Sequence, residues 1–347
     1  MADEAVRIAL DGNIKRGLAL ALAARERALD AANPNAELAA LNAASRCHSM
    51  NNNASAALSS GIDAFTLAVK LNDVRAQAHA LCSVASSAFV MRLLNESLPV
   101  AERACTEAVA LRDDDLEARA RLVYAENLSD LLRFDEADYQ LGLALEAVRR
   151  LGDAAFENRL NASLATLTGK QAQYYADLAQ PALLEEACVT ALALAEVVLP
   201  RAQLENNVTM IVSMLGLKAR IKEFRGQLTE ARDETVAVLA IAAKAKYLSP
   251  IPPWSLRLAS LHARLGDPAR ARSALEDGLK AAETLRPSFR IGELFAALVE
   301  LEHLAGNTAA EMAARQRAEE ERRSFDVERE QSRLTLTARN WLRKPEQ

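Results

Sequence analysis

Two sets of short phrases recur along this chain at a fixed interval. Leu71-Asn72-Asp73, Leu111-Arg112-Asp113 and Leu151-Gly152-Asp153 stand 40 residues apart, and so do the glycines of Phe224-Arg225-Gly226, Leu265-Gly266-Asp267 and Ala305-Gly306-Asn307. A fixed period of this length marks stacked supersecondary units, none of which buries its apolar face without a neighbour. The two sets differ in phase. The first reads as the connector between units and the second as the turn inside a unit. Between the phrases the apolar positions follow a helical period: Leu122, Tyr124, Leu128, Leu131 and Leu132, then Ala137, Leu141, Ala144, Leu145 and Val148. Each unit is therefore a pair of antiparallel helices. Joints fall at Asn33-Pro34-Asn35, Asn51-Asn52-Asn53, Leu199-Pro200, Pro250 to Pro253 and Arg286-Pro287, because proline lacks the amide donor and clashes inside a helix.

Composition narrows the class further. Of 347 residues only 12 are Gly, 10 are Pro and 4% are aromatic, too few turn and β-favouring residues for a sandwich or barrel. A net charge of -5 and a pI near 5.6 exclude sequence-independent nucleic-acid binding, which needs a basic face. The uncharged stretch from Ala76 to Met91 is too short to span a bilayer, so no membrane contact is expected. The N-terminal residues lack the basic start and apolar block of a secretory signal. The expected compartment is the cytoplasm, with four reduced cysteines.

The segment Leu258-Ala259-Ser260-Leu261-His262-Ala263-Arg264-Leu265-Gly266-Asp267, continued by Ala271, Leu275 and Leu279, resembles a tetratricopeptide repeat; Tyr124 to Leu145 matches less strictly. The expected fold is all-α: a right-handed superhelical solenoid of antiparallel helix pairs, with a period of about 40 and a long C-terminal helix. Residues 1–33 form a leading helical half-repeat. The array fills 34–323 as seven pairs, at 35–73, 74–113, 114–153, 154–199, 200–247, 251–285 and 287–323. Residues 324–347 belong to the long charged helix.

Little in the sequence carries chemistry. Cys47-His48 and His79-x-x-Cys82 match no zinc spacing, and Cys105, Cys188 and His262 read as packing residues, so no metal and no cofactor are expected. No nucleophile sits on a Gly-flanked turn and no phosphate-binding glycine loop occurs, so no catalytic residue is assigned. Asp113-Asp114-Asp115 and Glu185-Glu186 read as solvated or helix-start charges.

The resemblance implies instead that the first helix of each pair lines a concave face holding a protein or peptide segment. Carried over, the inner positions are Leu256, Ser260, Ala263 and Arg264 in the best unit, and Leu122, Glu126, Ser129 and Asp130 in the third pair. Asn127, Asn161 and Asn207 fall on first helices, where an amide reads both edges of an extended backbone, and Arg220 stands in a basic group with Lys218 and Lys222 that favours an acidic segment. Candidate partner-binding residues are therefore Asn127, Asn161, Asn207, Arg220, Glu126, Ser260 and Arg264. The charged stretch Glu311–Glu346 has two readings, a cap on the last repeat or a dimer seam through Val327, Leu334, Ala338 and Trp341. Residues Glu321 to Glu330 resemble the connecting helix after tetratricopeptide arrays in bacterial sensors, which precedes diguanylate cyclase (GGDEF) or histidine kinase modules. The resemblance implies a non-catalytic signalling module; the alternatives are a stand-alone adaptor and the N-terminal region of a diguanylate cyclase whose GGDEF domain is absent from this chain.

Overall fold

The computed structural model describes residues 1–10, 13–285 and 289–337. Among them there are sixteen α-helices and no strand, and consecutive helices pack in pairs. The helices after α2 follow one another as α3–α4 (Pro34–Met50, Ala54–Lys70), α5–α6 (Val74–Val90, Leu94–Leu111), α7–α8 (Asp114–Asp130, Phe134–Leu151), α9–α10 (Ala154–Asp177, Pro181–Leu204), α11–α12 (Val208–Phe224, Leu228–Lys244), α13–α14 (Ile251–Arg264, Pro268–Glu283) and α15–α16 (Phe289–Leu304, Thr308–Thr337). Connectors and intra-unit turns fall where the two phases of the sequence phrases put them. The leading stretch differs from a plain half-repeat: a short α1 (Ala2–Leu10) precedes α2 (Ile14–Asp30) and packs on it. Gly17 makes this approach feasible, since a Cβ there would stand 2.5 Å from the Ala5 carbonyl oxygen.

The chain divides into two compact units, the first comprising Met1–Gly152 and the chain from Asp326, the second Asp153–Phe325. In the first unit the turns keep a 20-residue beat. A left-handed residue stands at Ala32, Asn52, Asn72, Arg92, Arg112, Leu132 and Gly152. Most of these turns close in the same way, with the next amide reaching back five residues, as in Asn53 N–H to the His48 carbonyl and Arg133 N–H to the Leu128 carbonyl. This is the Schellman closure of a helix C-terminus. The following helix is then capped by a side chain: Asn33, Asn53, Asp73, Asp113 and Asp153 each accept from an amide of the first turn, satisfying one of its orphan donors.

A left-handed conformation costs an ordinary L-residue about 1–2 kcal/mol. Leu132, at φ 60° and 57% exposed, bears that strain with little burial to offset it. Leu132→Gly is expected to raise the denaturation midpoint by the equivalent of about 0.5–1 kcal/mol after the entropy cost of glycine. An unchanged or lower midpoint in a urea titration would count against the strained turn.

Close packing in both units rests on alanine. Ala57, Ala64, Ala80, Ala85, Ala101, Ala118, Ala137 and Ala144 are fully inaccessible in the first unit, and Ala271 nearly so in the second. A methyl side chain lets helix axes approach, and the larger Leu38, Leu41, Leu81 and Leu128 fill the gaps between pairs. Two buried hydroxyls are satisfied across hairpins: Ser45 Oγ donates to the Ala57 carbonyl at 2.9 Å, and Ser97 Oγ to the Ala85 carbonyl at 2.7 Å.

The second unit opens on a departure from the beat. From Gly152 the next left-handed positions are Ala179 and Asn206, each 27 residues on, before 20-residue steps resume at Gly226, Lys246 and Gly266. Helices α9 and α10 have 24 residues each, against 17 in α3, α4 and α5, an addition of two turns or about 10 Å. Leu199-Pro200 is therefore not the joint that the sequence suggests. Pro200 is exposed within α10, which runs on to Leu204, and the surrounding packing of Ala195, Val198, Leu199 and Ala202 into the core outweighs one missing hydrogen bond. No described helix is long and apolar enough to cross a membrane.

Helix α16 packs against α15 at its start, where Arg317 lies 5.7 Å from the Phe295 ring centre and His303 meets Glu311 at 3.1 Å. Its later residues belong to the first unit, where Glu328 accepts from Ser55 Oγ and both Ser332 and Leu336 are buried. Val327 and Leu334 face away, 60% and 55% exposed. Ala338 and Trp341 lie outside the described residues.

Candidate binding groove

The first helices of the second unit meet one another, α9 on α11 and α13 on α15, and their shared face holds a groove of about 760 Å³. Gln173 comes from α9, Arg220 and Glu223 from α11, and Trp254, Leu256, Arg257, Ser260, Ala263 and Arg264 from α13. Helix α15 adds Arg290, Ala297, Glu300, Leu301 and Leu304. The four inner positions carried over to the best unit, Leu256, Ser260, Ala263 and Arg264, all line this one groove, as does Arg220. Gln173 belongs to the two added turns of α9, a contribution that no standard-length pair would make.

Trp254 forms the floor, and a glycine makes room for it. A Cβ at Gly216 would come within 2.0 Å of Trp254 Cζ2 and 2.5 Å of Cη2. Trp254 packs against the buried cluster of Val212, Val238 and Ala242, as do Val208, Leu215, Ile241, Tyr247 and Ile251. Above it sits Arg257, its guanidinium carbon 5.9 Å from the ring centre, and Arg220 stands 5.6 Å from the Phe224 ring centre in the same manner.

Four arginines share the groove with two glutamates, although the chain as a whole carries -5. Glu223 bonds two of the four: one carboxylate oxygen accepts from Arg257 and the other from Arg264 at 2.6 Å. Arg290 bonds to Glu293 at 2.6 Å. Arg220 is less well served. Its Nη2 donates to the Gly169 carbonyl at 3.3 Å, and its buried Nε has no partner. Burial, together with the neighbouring Arg257 guanidinium, pushes Arg220 down to about 10, so it remains a cation at neutral pH.

The other sequence candidates are dispersed. Asn127 is fully buried in α7, where its amide nitrogen donates to the Val123 carbonyl at 2.8 Å and Oδ1 has no partner. Asn207 caps α11, accepting from the Met210 amide at 3.1 Å. Asn161 and Glu126 are half-buried on α9 and α7. In the third pair, Ser129 is buried and Asp130 pairs with Arg92. Sequence reasoning missed Trp254, Arg257 and Glu223. The signal was present in Gly216, a small residue inside an otherwise bulky helix with a tryptophan one helix pair later.

Among the described residues no group of three His, Cys, Asp or Glu side chains could hold a metal ion. Cys47, Cys105 and Cys188 are buried and Cys82 is half-buried. Burial pushes the Cys82 and Cys105 thiols up to about 12, far from the low values of reactive cysteines.

No protein-family model matches the sequence, and no curated protein matches it at the sequence level. Solved structures do share the fold. The apo form of RapI superposes with a TM-score of 0.61 at 11% identity, over 82% of this chain and 97% of the other. A Rap protein complexed with competence and sporulation factor gives 0.59 at 16%, over 84% and 77%. BtubC (BKLC) from P. vanneervenii gives 0.50 at 17%, over 67% and 92%. At these identities the likeness defines a class by fold, an all-α helical-repeat protein of tetratricopeptide-like pairs.

Proposed function

We propose that this chain is a non-catalytic module that binds a protein or peptide segment in the groove of its second unit and serves a regulatory role in signal transduction. The observation that carries the reading is the groove itself, an open channel across consecutive first helices with an apolar floor and unevenly satisfied arginines. A fold neighbour solved in complex with competence and sporulation factor supplies a precedent for a bound partner on this architecture. The sensory region of a bacterial signalling chain is the wider setting that the connecting-helix resemblance favours, with a stand-alone adaptor as the alternative.

The test is a panned random-peptide library against the wild type and against Ser260→Trp/Ala263→Trp. Both positions are exposed, so the indoles fill the channel without entering the core. Peptides enriched on the wild type are expected to lose binding to the double variant. Equal enrichment on both would remove the groove from the reading. The exposed Val327 and Leu334 favour a second role for α16, pairing with another copy. Sedimentation of the intact chain and of Leu334→Glu checks it, monomers at all concentrations in both excluding the seam.

A further inference from the structure

We propose that the groove takes an acidic peptide segment, and that Glu223 is a built-in stand-in for the ligand's carboxylate. This rests on the groove being the binding site and names the chemistry of what it holds. In the free chain the arginines are partly compensated from within. Arg257 and Arg264 each spend a hydrogen bond on Glu223, and the same carboxylate lies one helical turn from Arg220 on α11. One anion thus bonds two guanidiniums and stands near a third. A guanidinium presents five N–H donors, so the set retains donors that Glu223 cannot fill, among them the orphaned Arg220 Nε.

The arrangement is poised for exchange. Arg220 lies beside the Phe224 ring, and Arg257 has the Trp254 ring face as a second contact besides the carboxylate, so both keep a support when Glu223 swings out. Arg264 is 46% exposed and Glu223 only 12%, which places the second bond of Glu223 at the solvent edge, where an incoming carboxylate first competes. Beyond the charges, Leu304 is 83% exposed and Leu301 lies beside it. The sequence that fits is an acidic residue at the α11–α13 end followed by an apolar one toward α15. Glu300, on the α15 side, disfavours a second acidic residue there.

The probes are acetylated, amidated peptides, hexaglutamate and hexaglutamine, with inorganic phosphate as a third arm. Binding is read by calorimetry and by Trp254 fluorescence in a Trp341→Phe background. Hexaglutamate is expected to bind and to weaken with salt, while hexaglutamine does not bind. Arg220→Gln and Arg257→Gln should each lose about tenfold or more, the scale of one charge-assisted hydrogen bond. Glu223→Gln should bind hexaglutamate about tenfold more tightly, because it frees two guanidiniums from their internal partner. A merely structural Glu223 would give no gain. Arg264→Gln, at a more exposed position, serves where Glu223→Gln alters folding, and should weaken binding. Equal affinity for hexaglutamate and hexaglutamine in the wild type and in Glu223→Gln overturns the proposal, as does phosphate competing at concentrations equal to the peptide. If neutral peptides from the library still lose binding on Ser260→Trp/Ala263→Trp, only the acidic chemistry falls and the groove reading stands.

Discussion

Glu302→Ala is expected to cost the second unit about 3 kcal/mol of stability, the lower end of the range for breaking a buried ion pair. Glu302 is 1% exposed and lies on α15. Its carboxylate meets Arg272 of α14 through two bonds, Nη1 to Oε1 at 2.5 Å and Nη2 to Oε2 at 2.7 Å. Removing the carboxylate strands a cation and opens a void between helices that otherwise meet through Leu275, Ile291, Leu294 and Leu301. The 39% exposure of Arg272 lets its guanidinium turn toward water, which is why the lower end applies. Glu302→Gln keeps the volume and one acceptor and should lose less. The double variant Arg272→Met/Glu302→Leu should recover most of the loss, since an apolar pair of similar size avoids desolvation altogether. The measurement is a urea titration followed by Trp254 fluorescence. A Glu302→Ala midpoint equal to wild type would mean that the pair is solvated.

The helix pairs were legible because their signals are local. Asn33, Asn53, Asp73, Asp113 and Asp153 cap helices from the residue before the first turn, and Gly226, Gly266 and Gly306 hold left-handed positions. Either type advertises a boundary by itself. The finer 20-residue beat was hidden because its left-handed positions are filled by Ala32, Arg92, Arg112 and Leu132, residues that carry no turn signature and are held there by the hairpin. Pro200 misled for the converse reason. Proline's local cost is real, but the core contacts of α10 override it, and the two added turns of α9 and α10 followed no phrase in the sequence.

The site was legible only where the repeat pattern transfers directly. Ser260 and Arg264 sit in the groove because their register in the best-matching unit sets their direction. Asn127 fails the same reasoning: its position relative to the stripe turns its amide inward, where it bonds to its own helix. Glu223 could not be assigned from sequence, because its partners Arg257 and Arg264 come from the next pair. Which side chain faces which across two pairs is set by the packing angle, not by spacing along one helix.

Gly216→Ala is expected to destabilise the second unit by about 1–3 kcal/mol, the usual cost of overpacking, and to abolish hexaglutamate binding. The added methyl would lie 2.0 Å from Trp254 Cζ2 and 2.8 Å from Cε2. No flexible chain end absorbs this overlap, for an indole moves only as a rigid plate. The plate packs against the buried cluster of Val212, Val238 and Ala242. The structure therefore yields either by parting α11 from α13 or by turning the ring. Parting the helices pulls Glu223 on α11 away from Arg257 and Arg264 on α13. Turning the ring withdraws the face beneath Arg257. Either path disorders the guanidinium set, so stability and binding fall together and the emission of Trp254 shifts with them. Gly216→Ala/Trp254→Leu separates the causes. The smaller side chain relieves the overlap and should restore part of the stability, while binding stays weak because Arg257 has lost its ring. A Gly216→Ala chain with the wild-type midpoint, emission and affinity would show that Trp254 does not occupy the notch, and the floor of the groove would have to be redrawn.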